Sequence, residues 1–171
     1  YPSLGLLWEP EVTDIELCDA YCRAYNRWII DFCSDSADRL IPIAHISLGD
    51  VGLAVKELER AVNSGARGAF VAPHTITRRP HGHPEHDPFW AKAEELEVSI
   101  GVHPTIEPLP PMAAAQFDGM RGQSWYFTVM SSVAVQAAFT TMFQYGTFER
   151  FPKLKFIVLE SSAGWISSWL E

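Results

Sequence analysis

Basic residues are few and nowhere bunched: 13 Lys and Arg stand against 21 Asp and Glu, giving a formal net charge of −8. Without a Lys/Arg run, nucleic acid and anionic membrane are poor partners. Cysteine is equally sparse. Cys18, Cys22 and Cys33 are odd in number, fall in one helical segment and include no C-x-x-C pair. They cannot make a disulfide framework, and read as reduced thiols packed as small hydrophobes in a cytoplasmic protein. No Gly-rich phosphate loop, nucleophile elbow or Walker motif occurs, which sets aside the chemistries those motifs serve. Tyr1-Pro2-Ser3 lacks the basic start and apolar run of a secretory leader. The uncharged run from Trp125 to Tyr145 is long enough to cross a bilayer. Ser131, Ser132, Gln136, Thr140, Thr141 and Gln144 make it costly there and basic flanks are missing, so no membrane span is expected.

What is present suits one globular domain. The chain has 171 residues, 47% of them hydrophobic, which supports a sizeable core but not two domains of ordinary size. It opens without methionine and stops at Trp169-Leu170-Glu171 inside a helical pattern. The expectation is therefore a single, incomplete domain over 1–171, cut from a longer protein.

Residues 1–12 read as an irregular lead-in. The capping box Thr13-Asp14-Ile15-Glu16 predicts a first helix ending near Ser34-Asp35. Spacings of three and four put Cys18, Tyr21, Cys22, Tyr25, Trp28, Ile29 and Phe32 on its inward face. A first strand follows over Leu40–Ser47, then a helix capped by Asp50 and stopped by Gly65. A second strand, 68–72, leads into a polar loop over 73–86, and Asp87-Pro88 opens a third helix in cap-then-proline order, with Asp87 as the cap. The third strand is the apolar run Val98–Val102. Residues 104–122 form a long Pro/Gly/Met-rich excursion of the kind used as a lid or substrate loop. Helix fills 124–149 with a break near Gly146, a fourth strand covers 154–160, and Ser161-Ser162 cap a last helix containing Trp165 and Trp169. Strand–helix alternation of this kind means parallel strands with helical crossovers, hence α/β. Periodicity alone leaves an open doubly wound sheet and half of a (β/α)8 barrel equally open.

In either arrangement, chemistry gathers at the carboxyl ends of the strands. The third strand ends in His103, and Pro104 then forbids further pairing. A neutral imidazole there is placed to bind a metal or move a proton. Glu160 closes the fourth strand, and neighbouring strand ends lie about 5 Å apart, so the two could share a metal or form an acid–base pair. His74, behind Pro73 at the end of the second strand, is a lesser candidate. His45, near the end of the first, reads as core or pocket wall. The His81-Gly82-His83-Pro84-Glu85-His86 stretch has the His-x-His spacing of metal ligands, but reads as a solvated loop flanked by Arg78 and Arg79, with nothing to preorganise it. Trp90, Trp125, Tyr126, Phe127 and Trp165 hint at a pocket for an apolar or aromatic substrate.

Several phrases in order carry a resemblance: Ala24-Tyr25-Asn26-Arg27-Trp28 with Asp38-Arg39-Leu40-Ile41-Pro42, the stretch Ala54 to Gly68, Asp87-Pro88-Phe89-Trp90 with Ala93-Glu94-Glu95-Leu96, Gly101-Val102-His103, and Phe151-Pro152-Lys153-Leu154-Lys155 with Glu160-Ser161-Ser162-Ala163-Gly164-Trp165. Over nearly its whole length the chain resembles the amidohydrolase-related family of metal-dependent hydrolases and decarboxylases, the group of aminocarboxymuconate-semialdehyde decarboxylase. The resemblance implies a partial (β/α)8 barrel, about strands three to six, with one divalent metal, usually zinc, at its carboxyl-end face. His103 matches the family's strand-five metal ligand. The His-x-His of strand one and the aspartate of strand eight have no match here. The decarboxylase branch has a histidine at the end of strand six, where this chain has Glu160. On that departure the sequence favours a hydrolase, with metal-bound water attacking a carbonyl or similar carbon and Glu160 as base. Decarboxylation of an aromatic or unsaturated acid is the alternative, and a degenerate barrel serving as a binding module is the rival of another class. His74, His45 and Trp165 are candidate pocket residues. A small-molecule substrate is the expected partner, and the open barrel edges favour association into a homo-oligomer. The fragment alone is expected to bind metal weakly and not to turn over.

Overall fold

In a computed structural model, residues 8–9, 12–105, 123–169 and 171 are described, with backbone alone for 123–131. Most of the expected lead-in over 1–12 and of the long loop over 104–122 lies outside these residues. Four parallel strands form one sheet: β1 (Ile43–His45), β2 (Gly68–Val71), β3 (Ser99–Val102) and β4 (Lys155–Val158), in the order β1-β2-β3-β4. Around them run α1 (Ile15–Ser34), α2 (Val51–Asn63), α3 (Asp87–Glu95), α4 (Gln123–Gln144) and the short α5 (Thr147–Arg150). Strands adjacent in sequence are adjacent in space, each joined by a helical crossover. This is the arrangement of a partial barrel.

Strand alternation gives the sheet two unlike faces. Ala44, Ala69, Ile100 and Phe156 are in register on one face. With Ile46, Val71 and Val102 they pack against Ala54, Leu58 and Ala61 of α2, Phe89, Trp90 and Ala93 of α3, and Val135, Ala138 and Met142 of α4. This is the apolar core. The opposite face aligns His45, Phe70, Gly101 and Ile157, and His103 follows two residues beyond Gly101 on the same side by alternation. His45 and His103 thus share the face opposite the apolar core.

Local signals account for most element ends. Asp50 accepts the Leu53 N–H at 2.8 Å to start α2, and Gly65 at φ 118 follows its end. Gly146, at φ 65, makes the break between α4 and α5. Three expectations are corrected. The cap of α1 is Asp14, which accepts the Leu17 N–H at 3.0 Å, so the predicted capping box begins one residue early. Asp87 is the first residue of α3 rather than its cap, and its carboxylate takes a two-pronged contact from Arg150 at 2.7 and 2.8 Å. Among the described residues the last α-helix is not seen: residues 167–169 make one 3-10 turn. Ser161 Oγ donates to Leu159 O instead of capping, and Ser162 at φ 56 directs the backbone away from a right-handed helix.

The buried face of α1 also differs from the aromatic stripe. Cys18, Asp19, Cys22, Asn26 and Cys33 are buried, whereas Tyr21, Trp28 and Phe32 are 43, 57 and 58% exposed. Asn26 explains the rotation. Its side chain accepts the His45 N–H at 2.7 Å and donates to His45 O at 2.9 Å and Glu57 Oε1 at 2.8 Å. At the outer edge of β1 these backbone groups would otherwise go unpaired within the described residues. The helix therefore turns its polar asparagine inward and leaves its aromatics outside.

Candidate metal and proton-transfer site at the strand ends

The ends of β3 and β4 are level. The His103 N–H donates to Val71 O at 3.3 Å and the Leu159 N–H to Val102 O at 3.0 Å, extending the sheet one residue past both strands. His103 is buried, and its Nδ1 lies 2.6 Å from Pro104 O. A carbonyl only accepts, so Nδ1 carries the proton and the neutral ring has its lone pair on Nε2. Nε2 lies 3.6 Å from Oε1 of Glu160, whose side chain is 78% exposed. Glu160 has φ 43, a left-handed conformation unusual for a residue with a Cβ. That strain, of order 1 kcal/mol, sits where the expected acid–base residue stands. The edge of Phe70 supports the His103 ring, with centroids 6.1 Å apart at 66°.

The other candidates separate clearly. His74, half-buried, reaches the neighbourhood of His103 through Thr105: their Nδ1 and Oγ1 atoms are 3.4 Å apart. His45 is fully buried on the same sheet face, stacked between Trp8 at 5.2 Å and Phe70 at 4.3 Å. Its Nε2 is 3.0 Å from Oε1 of the buried Glu9. Trp165 does not join them. Its Nε1–H donates to Ser161 O, and its ring packs on Phe139 and Trp169. Phe139 packs on Phe156, so Trp165 belongs to the helix side of the sheet. Trp90 is wholly buried in the apolar core, and Trp125, Tyr126 and Phe127 have no described side chains.

The loop over 81–86 is not the solvated segment the sequence suggested. His81 and His86 are 2 and 1% exposed. His81 Nε2 lies 2.7 Å from Ala72 O, His86 Nδ1 lies 3.0 Å from Pro80 O, and Trp90 Nε1–H donates to His81 O at 2.9 Å. The Gly82 N–H meets Thr141 Oγ1 at 3.1 Å, and Thr147 Oγ1 donates to Gly82 O, so the loop is clamped against α4 and α5. A Cβ on Gly82 would collide with the Thr141 carbonyl, which is why only glycine fits. Burial pulls the His81 pKa down to about 4 and lowers that of His86. Both rings are neutral structural parts, each tied to a backbone carbonyl.

Sequence reasoning missed Glu9, Asn26 and Glu57. Glu57 is 3% exposed and joins Asn26 to Arg60, whose nitrogens lie 2.7 Å from the carboxylate oxygens. The signal was Asn26 itself, since asparagine inside an otherwise good helix is unfavourable unless its side chain is needed.

Comparison with known proteins fits this arrangement. The amidohydrolase family profile matches residues 2–170. A gamma-resorcylate decarboxylase from Rhizobium sp. (strain MTP-10005) is 30% identical over 147 residues, 80% of this chain and 42% of its own length. An amidohydrolase from Mycobacterium avium subsp. paratuberculosis superposes with TM-score 0.76 at 28% identity, over 91% of this chain and 41% of that one. A dihydroxybenzoic acid decarboxylase from Polaromonas sp. JS666, solved with manganese and 2-nitroresorcinol, shares the fold at TM-score 0.70 and 24% identity, over 86 and 45% of the two chains. The chain thus spans about two fifths of the length of the relatives it matches. Among the described residues, no helix is long and apolar enough to cross a membrane.

Proposed function

Because this chain belongs to the amidohydrolase family, we propose that it is the central part of a metal-dependent decarboxylase acting on an aromatic or unsaturated carboxylic acid. The observation that carries the reading is the 30% identity, over four fifths of the chain, to a relative that removes a carboxyl group from a dihydroxybenzoate. Hydrolysis, which the sequence favoured on the strength of Glu160, gives way to it. A carboxylate in place of a histidine still handles a proton, so the departure does not stand against decarboxylation.

His103 supplies one metal ligand. Its proton is held on Nδ1 by the Pro104 carbonyl, which puts the donor lone pair on Nε2, the tautomer a divalent cation needs. The carboxylate of Glu160 beside it adds a hard oxygen donor or a proton carrier. The remaining ligands that the resemblance implies fall outside this sequence. A cation at this position would bind and polarise the oxygen atoms of the substrate. Zinc is the proposed ion. Manganese, held by the Polaromonas decarboxylase, is the alternative, since nitrogen and carboxylate donors suit both.

Glu160 then has a defined task. In its acid form Oε1 delivers a proton to the ring carbon that bears the carboxylate. The bond to the carboxyl carbon breaks, its electron pair restores the ring, and carbon dioxide leaves. The open, solvated position of Glu160 lets it recover its proton from water.

The test uses the full-length protein carrying this chain, with gamma-resorcylate as substrate and metal content measured alongside. Metal-dependent release of carbon dioxide is expected. His103→Ala should strip the metal and lower the rate by about 10³-fold or more. Glu160→Gln should keep the metal and lower kcat by about 10²- to 10⁴-fold. Metal-independent turnover, or hydrolysis of amide or ester substrates without carbon dioxide release from any aromatic acid, would overturn the reading.

A further inference from the structure

A second group of ligand-type side chains gathers about His45, the last residue of β1. A carboxylate oxygen of Glu9, the Sγ of Cys22 and a ring nitrogen of His45 all fall within 4.8 Å of one another, and all three residues are buried. We propose that they form a buried site for a thiophilic divalent cation, of which zinc is the type, separate from the His103–Glu160 site and independent of the reaction assigned there.

Three observations support it. The donor set mixes thiol, imidazole and carboxylate, a combination that selects zinc over magnesium or calcium. Cys18, also buried, lies one helical turn from Cys22, so a second thiol stands on the same side of α1. Second, Glu9 is a carboxylate only 4% exposed whose ion-pair partner among the described residues is His45. Burying a carboxylate without a full positive charge is costly, and a dication removes that cost. Third, unmatched polar atoms collect here. Trp8 Nε1, Tyr25 Oη and His45 Nδ1 are buried without a hydrogen-bond partner among the described residues, and the Trp8 ring lies 5.2 Å from His45 and 6.5 Å from Tyr25. Native proteins rarely leave several such atoms together unless an ion or water completes the neighbourhood.

The three ligands come from separate segments: Glu9 ahead of α1, Cys22 within α1 and His45 at the end of β1. The ion would therefore fasten the N-terminal stretch and α1 to the edge strand. On binding, the Cys22 thiol gives up its proton to solvent and the thiolate takes the cation. The His103–Glu160 pair includes no cysteine, so sulfur ligation identifies the buried site alone.

The full-length protein loaded with cobalt(II) in place of zinc provides the test. A near-ultraviolet thiolate-to-cobalt charge-transfer band is expected, unchanged in His103→Ala and Cys33→Ser and lost in Cys22→Ser. Glu9→Gln should weaken cobalt affinity by about ten- to a hundredfold. If Cys22→Ser fails to fold, Glu9→Gln decides the matter, since it leaves both thiols in place. Absence of the band in the cobalt-saturated wild type, its survival in Cys22→Ser, or unaltered affinity in Glu9→Gln would overturn the proposal.

Discussion

His81 and His86 in the loop before α3 differ from His103 at the end of β3 in what holds their ring nitrogens. All three rings are buried and each sits within reach of a backbone carbonyl. The loop pair spends those contacts on fixing the loop: His81 on Ala72 O, His86 on Pro80 O, with Trp90 locking the His81 carbonyl. His103 uses its carbonyl contact to settle a tautomer, and its other nitrogen looks toward an exposed carboxylate. Residue type and even burial are therefore poor guides to histidine chemistry. The direction of the second nitrogen is the better guide.

The sharpest way to break this contrast is to truncate each kind of ring in the full-length protein. His103→Ala should remove activity and metal with little change in unfolding midpoint. His81→Ala should leave activity per folded molecule near wild type while costing about 2–4 kcal/mol of stability, read by denaturant unfolding. Equal loss of activity from both would dissolve the distinction.

Acidity offers a smaller effect. His81 titrates near 4 in the folded protein against an ordinary value of 6.5. The unfolded chain thus takes up a proton below about pH 6.5 that the folded chain refuses until about pH 4. The stability is complete above 6.5 and drains as pH falls toward 4, by roughly 3 kcal/mol at most for His81. His86 shifts in the same direction and adds to it. Denaturation midpoints at pH 7, 6, 5 and 4 should trace this loss, and His81→Gln should flatten it.

The least effect belongs to the loop's outer side. Arg79 and Glu85 form a pair at 2.6 Å with both side chains 46% exposed. Glu85→Gln should change stability by no more than about 0.5 kcal/mol. A larger change would mean that the surface pair, not the buried rings, holds the loop.

These contrasts also mark what the sequence could reveal. The sequential parallel strands followed from alternating patterns, and the Gly146 break and the Asp50 cap from local chemistry that needs no distant partner. His103 stood out because an apolar run ended in it and a proline followed. Its pairing with Glu160 was legible because adjacent parallel strands end side by side. The burial of His81 and His86 was not legible, because it depends on Ala72, Thr141 and Thr147, brought in by other elements. The inward face of α1 was misread for the same reason. Aromatic spacing argued for one stripe, but the edge of β1 required a side-chain amide, and Asn26 outweighed three rings. Glu9 sits in a stretch with no periodic signal, so its meeting with His45 is visible only in three dimensions.

The strand order β1-β2-β3-β4 has a consequence for how the protein is made. Each strand's partner is the one synthesised just before it, so the sheet can grow at one edge in the direction of translation. The crossover from β3 to β4 is the longest, about twice the others, yet loop closure rises only logarithmically and this adds about half a kcal/mol. The clamp of Gly82 against Thr141 and Thr147 must wait until α4 and α5 leave the ribosome. A ribosome stalled before Gln123 should thus carry a three-stranded intermediate whose histidine loop is still open to proteases, and one stalled well past Val158 should not.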